Sequence, residues 1–128
     1  MRLLLDTHAL LWWWTDDPKL SSIAREAIVD AENQVLVSAA SAWEIATKHR
    51  LGKLPHAVQA LGRFNELVAA DGFEHLSISY LHSLKAGAYS NEHRDPFDRI
   101  LAAQANLERA VLMTLDPVFA GFECRVLW

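Results

Sequence analysis

Short apolar runs recur along the chain, and longer segments with helical spacing lie between them. Each run ends at polar or turn residues, which is typical of strands buried in a sheet. In the intervening segments, apolar residues return every three or four positions, which indicates amphipathic helices. We predict strands at residues 2–5, 34–37, 73–78, 110–113 and 124–127. We predict helices at residues 9–14, about 21–31, 41–51, 55–70, 79–89 and from 96 onward.

The predicted strands and helices alternate in sequence, and this order constrains the fold. Two strands joined through a helix pair in parallel by a right-handed crossover. The pattern therefore predicts an α/β fold with a mostly parallel sheet that is covered on both faces. The chain has 128 residues, enough for one domain with a substantial core and too few for two ordinary domains. With no internal repeat or linker, we expect a single domain over residues 1–128.

The segment from Asp95 to Asp98 has the features of a helix start. Asp95 suits the N-cap position, and Pro96 suits the first helical position because its missing N–H would have no partner there. Asp98 then falls in the first turn, where the positive end of the helix dipole favours a carboxylate. Many helices without any chemistry begin in this way, so a functional role for Asp98 depends on whether other acids converge on the same place.

Three more acids lie near the ends of predicted strands. Asp6 directly follows the first strand, and Asp116 follows the fourth. Ser41 and Glu44 form a capping-box pattern, which predicts that Glu44 lies in the first turn of the helix after the second strand. In an open parallel sheet, the functional crevice lies at the carboxyl ends of the strands. The crossover into the fourth strand brings Asp98 to that edge as well, so we expect four carboxylates to meet there.

Four carboxylates in one crevice repel one another unless they are protonated or neutralised by a cation. Oxygen ligands without cysteine suit Mg²⁺ or Mn²⁺ rather than Zn²⁺. One or two such ions can activate water and stabilise the leaving oxygen in phosphodiester cleavage. We therefore predict a catalytic site in which Asp6, Asp98 and Asp116 hold the metal and Glu44 is a further ligand or positions water.

Each of these acids also has a purely structural interpretation. Asp6 could cap the helix that follows it, and Glu44 could be no more than a member of the capping box. Asp116 stands before a proline and could be a turn residue. We interpret Asp95 mainly as a helix cap that supports the neighbouring ligands without binding the metal itself. Convergence of four acids on one sheet edge is a coincidence that capping does not predict.

Other polar residues near the proposed crevice carry weaker signals. The hydroxyls of Thr7 and Thr114 could hold a water molecule or orient a carboxylate, and ordinary turn hydrogen bonding explains them equally well. A small basic cluster could grip the phosphates of a nucleic acid or could be a solvated helix end. This cluster consists of Lys48, Arg50, Lys53, Arg94 and Arg99. The histidines show no metal-type spacing and are interpreted mostly as surface or packing residues; they are residues 8, 49, 56, 75, 82 and 93.

Composition limits the partners that the chain can bind. The formal net charge is −4, so no general basic field attracts nucleic acid, and any such contact needs a local patch or a metal.

Cys124 is the only cysteine, which excludes an internal disulfide and favours a reducing compartment. The apolar segment from Leu3 to Trp14 is interrupted by polar residues and is too short to span a bilayer. We therefore expect a soluble cytoplasmic protein without membrane attachment.

Three consecutive tryptophans, Trp12 to Trp14, cannot all face one side of a helix. At least one of them is therefore predicted to lie on a second surface. That surface could contact a partner, or a small domain could use all three rings as core and partial cover.

Four motifs follow one another along the chain: Asp6-Thr7-His8, Ser41-Ala42-Trp43-Glu44, Asp95-Pro96-Phe97-Asp98-Arg99 with Ala102-Ala103-Gln104-Ala105, and Thr114-Leu115-Asp116. In this order they resemble the PIN-domain family, and in particular the VapC-type ribonuclease toxins of bacterial toxin–antitoxin pairs. The resemblance covers nearly the whole chain. One departure is His8, because many members have Asn two residues after the first aspartate.

The resemblance implies a three-layer α/β/α sandwich and a Mg²⁺-dependent endoribonuclease. It further implies neutralisation by a small antitoxin in the active-site groove, and homodimers or toxin–antitoxin hetero-oligomers. The family's acids fall on Asp6, Glu44, Asp98 and Asp116. The predicted substrate is single-stranded or looped RNA, with tRNA-like hairpins as candidates because loops expose their bases.

Two other functions remain open from the sequence. A magnesium-dependent phosphatase needs a second Asp two residues after its nucleophile, and here that position is His8. A non-catalytic binding module could use the acids to grip a basic partner.

Overall fold

A computed structural model describes residues 1–128 except the side chain of His56. The interpretation of His56 as a surface or packing residue therefore lies outside the described part of the chain. The strands are β1 (Arg2–Leu5), β2 (Gln34–Ser38), β3 (Glu74–Leu76), β4 (Val111–Met113) and β5 (Val126–Leu127). They form a five-stranded sheet in the order β3-β2-β1-β4-β5, and all four neighbouring pairs are parallel. This arrangement confirms the predicted α/β class.

Helices connect the strands. They are α1 (Thr7–Trp14), α2 (Ser22–Val29), α3 (Ala39–Arg50), α4 (Val58–Gly62), α5 (Phe64–Ala70), α6 (Tyr80–Ala88) and α7 (Pro96–Leu107), with 3₁₀ helices at Pro55–Ala57 and Pro117–Phe122. Asp95 caps α7, Pro96 begins it, and Asp98 lies in its first turn, as predicted. Ser79 caps α6 in a capping box with His82.

Two apolar cores lie on opposite faces of the sheet, which gives the three-layer sandwich. Successive strand residues point to opposite faces, so Leu3 and Leu5 enter one core and Leu4 enters the other. The first core includes residues of α1, α2 and α5, and the second includes residues of α7 and the last 3₁₀ helix. Because both faces of β1 are buried, its sequence is a continuous run of leucines.

The three consecutive tryptophans are all half-buried and pack against the first core. The rings of Trp13 and Trp14 lie near Phe73 and Phe64, and their indole N–H groups both donate to Asp71 Oδ2, at 3.1 and 3.0 Å. Trp12 lies at the other side, where its ring is 5.7 Å from that of Trp128. The tryptophans therefore cover the core, with Trp12 on a separate surface.

The predicted single helix over residues 55–70 is wrong. The segment is a 3₁₀ turn followed by α4 and α5, with a break at Arg63, whose backbone has φ −131° and ψ 24°. Gly62 directly precedes the break, and glycine weakens a helix interior by roughly 1 kcal/mol relative to alanine. The predicted third and fifth strands are also shorter than expected, because pairing is limited to residues 74–76 and 126–127.

The predicted capping box at Ser41 is wrong as well. The N-cap of α3 lies three residues earlier, because Ser38 at the end of β2 caps the helix by accepting a hydrogen bond from the Ala40 N–H at 2.9 Å. Ser41 is completely buried inside the helix. Glu44 consequently lies in the second turn of α3 and not in the first.

The chain reverses its direction across the sheet at β1. From β1 it proceeds outward to β2 and β3, and then crosses to β4 and β5 on the other side. The segments after β1 and β4 therefore diverge and leave a crevice at the carboxyl ends of these strands. Asp6 follows β1 and Asp116 lies close after β4, so the topology directs both residues toward this crevice.

The longest helices of the described chain are α3 and α7, with 12 residues each. None of the helices combines the length and the apolar character that a membrane span requires.

We expect Ser38→Ala to lower the free energy of unfolding by roughly 2–3 kcal/mol. The substitution removes the cap of α3, which contributes about 1 kcal/mol. It also leaves the buried Gln104 Oε1, which accepts a 2.5 Å hydrogen bond from Ser38 Oγ, without this donor. Urea unfolding followed by circular dichroism measures the change.

Ser21→Ala is the matched control, because Ser21 caps α2 through the Ala24 N–H and lies on the half-buried surface. Its expected cost is that of a cap alone, about 1 kcal/mol. Equal losses in the two variants would contradict the role given to the Ser38–Gln104 bond.

Candidate active site

The four acids that the sequence places at the sheet edge line one small cavity of about 100 Å³. Four different parts of the fold bring these carboxylates together: Asp6 follows β1, Glu44 lies on α3, Asp98 lies on α7 and Asp116 follows β4. The cavity, which we call the acidic cavity, is also lined by Thr7, His8, Lys48, Asp95, Leu101 and Phe119.

Asp6 is the most constrained of the four. Its side chain is 7% exposed and caps α1 by accepting a 2.7 Å hydrogen bond from the Ala9 N–H. Burial raises the pKa of Asp6 above its ordinary value, the nearby charge of Glu44 raises it further, and hydrogen bonds from Thr114 and Ala9 oppose the rise. The residue is thus both a helix cap and a buried carboxylate in the cavity, so the two interpretations of Asp6 are compatible.

Glu44 is 4% exposed and is paired on both oxygens. Its Oε2 lies 2.5 Å from Lys48 Nζ, one helical turn along α3. Its Oε1 accepts a 2.5 Å hydrogen bond from the hydroxyl of Thr7, which lies 3.2 Å from Ser41 Oγ. The ammonium group of Lys48 therefore balances one of the four acidic charges, and Thr7 orients the carboxylate.

Asp98 lies in the first turn of α7, and its Oδ2 is 2.8 Å from His93 Nε2. Burial raises the pKa of Asp98 to about 6, and the charges of Asp95 and Glu44 add to the rise, whereas the hydrogen bond from His93 opposes it. Asp95 accepts hydrogen bonds from the N–H groups of Phe97 and Asp98, which confirms its role as a cap.

His93 is a site residue that the sequence interpretation missed. One potential ligand atom from each of His93, Asp95 and Asp98 lies within 4.8 Å of the others. Within the described side chains, no other three His, Cys, Asp or Glu residues meet this limit. In the sequence, the only indication of this role is that His93 stands two residues before the N-cap of α7.

Asp116 is exposed and caps the 3₁₀ helix at residues 117–122 through the Val118 N–H, at 3.0 Å. The hydroxyl of Thr114 accepts a 3.0 Å hydrogen bond from the Asp116 N–H and contributes the bond that lowers the pKa of Asp6. Thr114 therefore links the two acids that follow β1 and β4.

The predicted basic cluster is divided by the structure. Lys48 lines the acidic cavity, whereas Arg50, Lys53 and Arg94 are exposed outside it. Arg99 has a different role, because its guanidinium donates hydrogen bonds to oxygen atoms of the segment before α7. Its acceptors are the carbonyls of Ala86, Tyr89, Asn91 and His93, at 2.7–3.2 Å, and Asn91 Oδ1, at 3.1 Å.

These bonds occupy the Arg99 fork and argue against the predicted phosphate contact at this position. The clamp instead holds the segment that carries His93 against the start of α7.

A sequence model of the PIN domain family matches residues 3–123. The chain belongs to the PIN domain family. A curated relative, Ribonuclease VapC16 of Mycobacterium tuberculosis, is 37% identical over 70 residues, which is 52% of this chain and 50% of the relative. The match thus spans about half the length of that relative.

Solved structures with the same fold include toxin–antitoxin proteins. VapBC2 of Rickettsia felis, bound to a promoter DNA fragment, has a TM-score of 0.73 at 15% identity. This alignment covers 99% of this chain and 98% of the chain in that structure. VapBC-1 of Haemophilus influenzae has a TM-score of 0.69 at 18% identity, and the alignment covers 99% of this chain and 97% of the chain in that structure. A toxin–antitoxin complex of Klebsiella pneumoniae has a TM-score of 0.64 at 22% identity, and the alignment covers 98% of this chain and 96% of the chain in that structure. At these identities, the similarity establishes the fold.

The donor set of this PIN domain fits a hard divalent cation. The acidic cavity offers carboxylate oxygens from four positions, with Thr7 and Thr114 supporting them, and oxygen ligands are those that Mg²⁺ and Mn²⁺ prefer. The raised pKa values of Asp6 and Asp98 indicate that their negative charges are poorly solvated. A cation would relieve this cost, whereas the protein alone compensates it only in part through Lys48 and His93.

We expect Asp98→Asn to stabilise the metal-free PIN domain by roughly 1–2 kcal/mol at neutral pH. A carboxyl whose pKa rises on folding destabilises the native state once it ionises, and each unit of pKa corresponds to about 1.4 kcal/mol. The pKa of Asp98 rises from 3.8 to about 6. The advantage of the variant should therefore be small near pH 4, grow as the pH rises to about 6, and stay level above it.

Urea unfolding in EDTA at a series of pH values measures this difference. Glu32→Gln, at an exposed position before β2, serves as the control and should match the parent protein throughout. A variant that is less stable than the parent at pH 7, or a difference that does not depend on pH, would contradict the origin assigned to the shift.

Proposed function

We propose that this PIN domain is a divalent-metal-dependent endoribonuclease and the toxin of a toxin–antitoxin pair. The observation that carries the proposal is the acidic cavity, where Asp6, Glu44, Asp98 and Asp116 converge beside exposed surface. The partial match to a protein named Ribonuclease VapC16 supports RNA as the substrate. Mg²⁺ is the proposed cofactor, with Mn²⁺ as its replacement.

In this proposal the metal ligands are Asp6, Asp98 and Asp116. When bound, the ion supplies a Lewis acid that activates water and stabilises the leaving oxygen of the phosphodiester. Asp6 is suited to a fixed position because the Ala9 N–H holds it at the end of β1. Asp116 is exposed and therefore accessible to a substrate phosphate at the open side of the cavity.

Glu44 and Lys48 have complementary roles in the proposed reaction. Hydrogen bonds at both oxygens fix Glu44, whose proposed role is to be a further metal ligand or to position the attacking water molecule. Lys48 borders the cavity and offers a positive charge to a phosphate oxygen. Asp95 and His93 hold Asp98 in place through the cap of α7 and a direct hydrogen bond.

The proposed substrate is single-stranded or looped RNA, which includes the loops of tRNA-like hairpins. The net charge of −4 opposes binding of long duplexes by general electrostatics. The exposed cations Arg50, Lys53 and Arg94 offer a local grip on a few phosphates.

The proposed partner is a small antitoxin that covers the acidic cavity. Its support is the shared fold with chains of VapBC complexes and with a toxin–antitoxin complex of Klebsiella pneumoniae. We further propose one domain over residues 1–128, assembled as a homodimer or with the antitoxin as a hetero-oligomer. Co-purification of the chain with the product of a neighbouring short reading frame, and loss of nuclease activity in that complex, test the partner.

We expect the purified chain to cleave single-stranded RNA with Mg²⁺ or Mn²⁺ and to be inactive in EDTA. Asp6→Asn and Asp98→Asn should each lower the rate by more than about 100-fold, beyond the 10- to 100-fold cost typical of losing a residue that only supports a metal ligand. Gel analysis of a labelled RNA under single-turnover conditions measures the rates.

The control is Glu32→Gln, which changes a carboxylate outside the acidic cavity and should retain full activity. Circular dichroism shows whether each variant is folded. Activity retained in both Asp6→Asn and Asp98→Asn would refute the site, and cleavage in EDTA would refute the metal dependence.

Metal binding should also raise the melting temperature. An ion at about ten times its Kd stabilises the native state by about 1.4 kcal/mol, which corresponds to a rise of roughly 3–6 °C for a chain of this size. We expect Mg²⁺ and Mn²⁺ to give this rise in the parent protein and in Glu32→Gln, and little or none in Asp98→Asn. Differential scanning fluorimetry over a range of ion concentrations measures it, and equal shifts in all three proteins would place the ion elsewhere.

A further inference from the structure

A second cavity lies beside the acidic cavity and shares a wall with it. Its volume is about 230 Å³. Asp6, His8 and Asp116 border both cavities, so a ligand bound at the acids has direct access to the second space. We call this space the aromatic cavity; its lining residues are Asp6, His8, Trp12, Leu115, Asp116 and Pro117.

The aromatic cavity presents flat and apolar side chains from two elements. His8 and Trp12 lie one turn apart on α1, with ring centroids 5.6 Å apart and planes tilted by 40°. Leu115 and Pro117 come from the segment after β4 and are both exposed. The ring of Trp12 also packs edge-on against the ring of Trp128, with centroids 5.7 Å apart. A preformed apolar surface therefore stands next to a set of carboxylates.

We propose that the aromatic cavity binds one base of the RNA, adjacent to the phosphate at the acidic cavity, with His8 and Trp12 as the aromatic contacts. The inference rests on the proposed nuclease function. Aromatic side chains stack on bases of any sequence, and every base in a single strand is attached one sugar away from a phosphate. The geometry of two adjoining cavities, one acidic and one aromatic, matches that repeat.

Size and charge favour a base over other occupants. The cavity is smaller than the roughly 300–1,000 Å³ of pockets that hold drug-sized ligands, and it is adequate for one planar base. Lys19 Nζ lies 5.8 Å from the centre of the Trp12 ring, which adds a positive charge for the RNA backbone at this rim. An apolar side chain of a partner protein would use the stacking surface and would gain nothing from a nearby phosphate site.

Binding of a short RNA measures the proposal without turnover. The probe is a fluorescently labelled single-stranded RNA of six nucleotides, compared by anisotropy with an abasic oligomer that has the same sugars and phosphates. The protein is the full chain with Asp98→Asn, in EDTA, so that the RNA stays intact and one repelling charge is absent. We expect the RNA to bind roughly 5- to 100-fold more tightly than the abasic oligomer, the range that corresponds to one stacked base.

Substitutions in this background test which residues hold the base. His8 is exposed, so His8→Ala should fold normally and remove most of the preference for RNA, whereas His8→Phe should keep it because a ring remains. Leu115→Ala should reduce the preference. Leu84→Ala on α6 is its matched control, since both leucines are more than half exposed, at 54% and 66%, and Leu84 borders neither cavity.

Three results would overturn the proposal. The first is equal binding of RNA and the abasic oligomer, which would also be the result if the cavity takes a protein side chain. The second is a preference for RNA that His8→Ala and Leu115→Ala leave unchanged. The third is a preference lost in His8→Phe as well as in His8→Ala, because stacking does not distinguish these rings.

A cleavage experiment separates this proposal from the nuclease function on which it rests. If the parent chain cuts RNA with Mg²⁺, the cut can be mapped and the neighbouring nucleotide of the substrate made abasic. This change should raise the KM of the parent chain for the RNA, and it should leave the KM of His8→Ala nearly unchanged. Cleavage in which both proteins respond alike would overturn the base site and leave the nuclease function standing. Base-dependent binding through His8 without any cleavage would support the base site and refute the nuclease.

Discussion

The cost of burying negative charge at the carboxyl edge of the sheet governs the architecture around the acidic cavity. Asp6 follows the central strand, where both faces of the sheet are covered, and it is consequently almost inaccessible to water. A carboxylate in that position is tolerated because the Ala9 N–H and Thr114 donate to it. Its pKa is nevertheless raised, so the protein retains an electrostatic cost at this point that a well-packed apolar residue would not impose.

The neighbouring acids show the same balance between cost and compensation. Lys48 and Thr7 satisfy both oxygens of Glu44, and His93 satisfies one oxygen of Asp98. Arg99 contributes at a distance, because it fixes the backbone of the segment that presents His93. Each of these acids therefore has a local donor. Asp98 forms a close group with Asp95 and His93, and Asp6 and Glu44 line the same cavity outside that group. A divalent cation at this place would act on charges that the fold already holds in position.

The proposed nuclease and the proposed base site depend on one feature, the divergence of the chain on either side of β1. The start of α1, directly after β1, supplies Asp6 and His8, and the segment after β4 supplies Leu115 and Asp116. Both cavities therefore border these two segments, and α3 and α7 complete the acidic cavity. This shared origin explains how one small domain can place a stacking surface immediately beside a set of carboxylates, and why a substitution in one segment affects both spaces.

The sequence by itself determined the alternation of strands and helices, the start of α7 at Asp95 and Pro96, and the convergence of four acids at the carboxyl edge of the sheet, because these features depend on local spacing and on the topology of parallel sheets. Only the tertiary structure decided the start of α3 at Ser38, since this cap is strengthened by Gln104, 66 residues away. The same holds for the pairing of Glu44 with Thr7, for the contact of His93 with Asp98 and for the commitment of Arg99 to loop carbonyls. A propensity or a motif describes neighbours along the chain, whereas these partners are selected by packing, which brings distant side chains within hydrogen-bond distance.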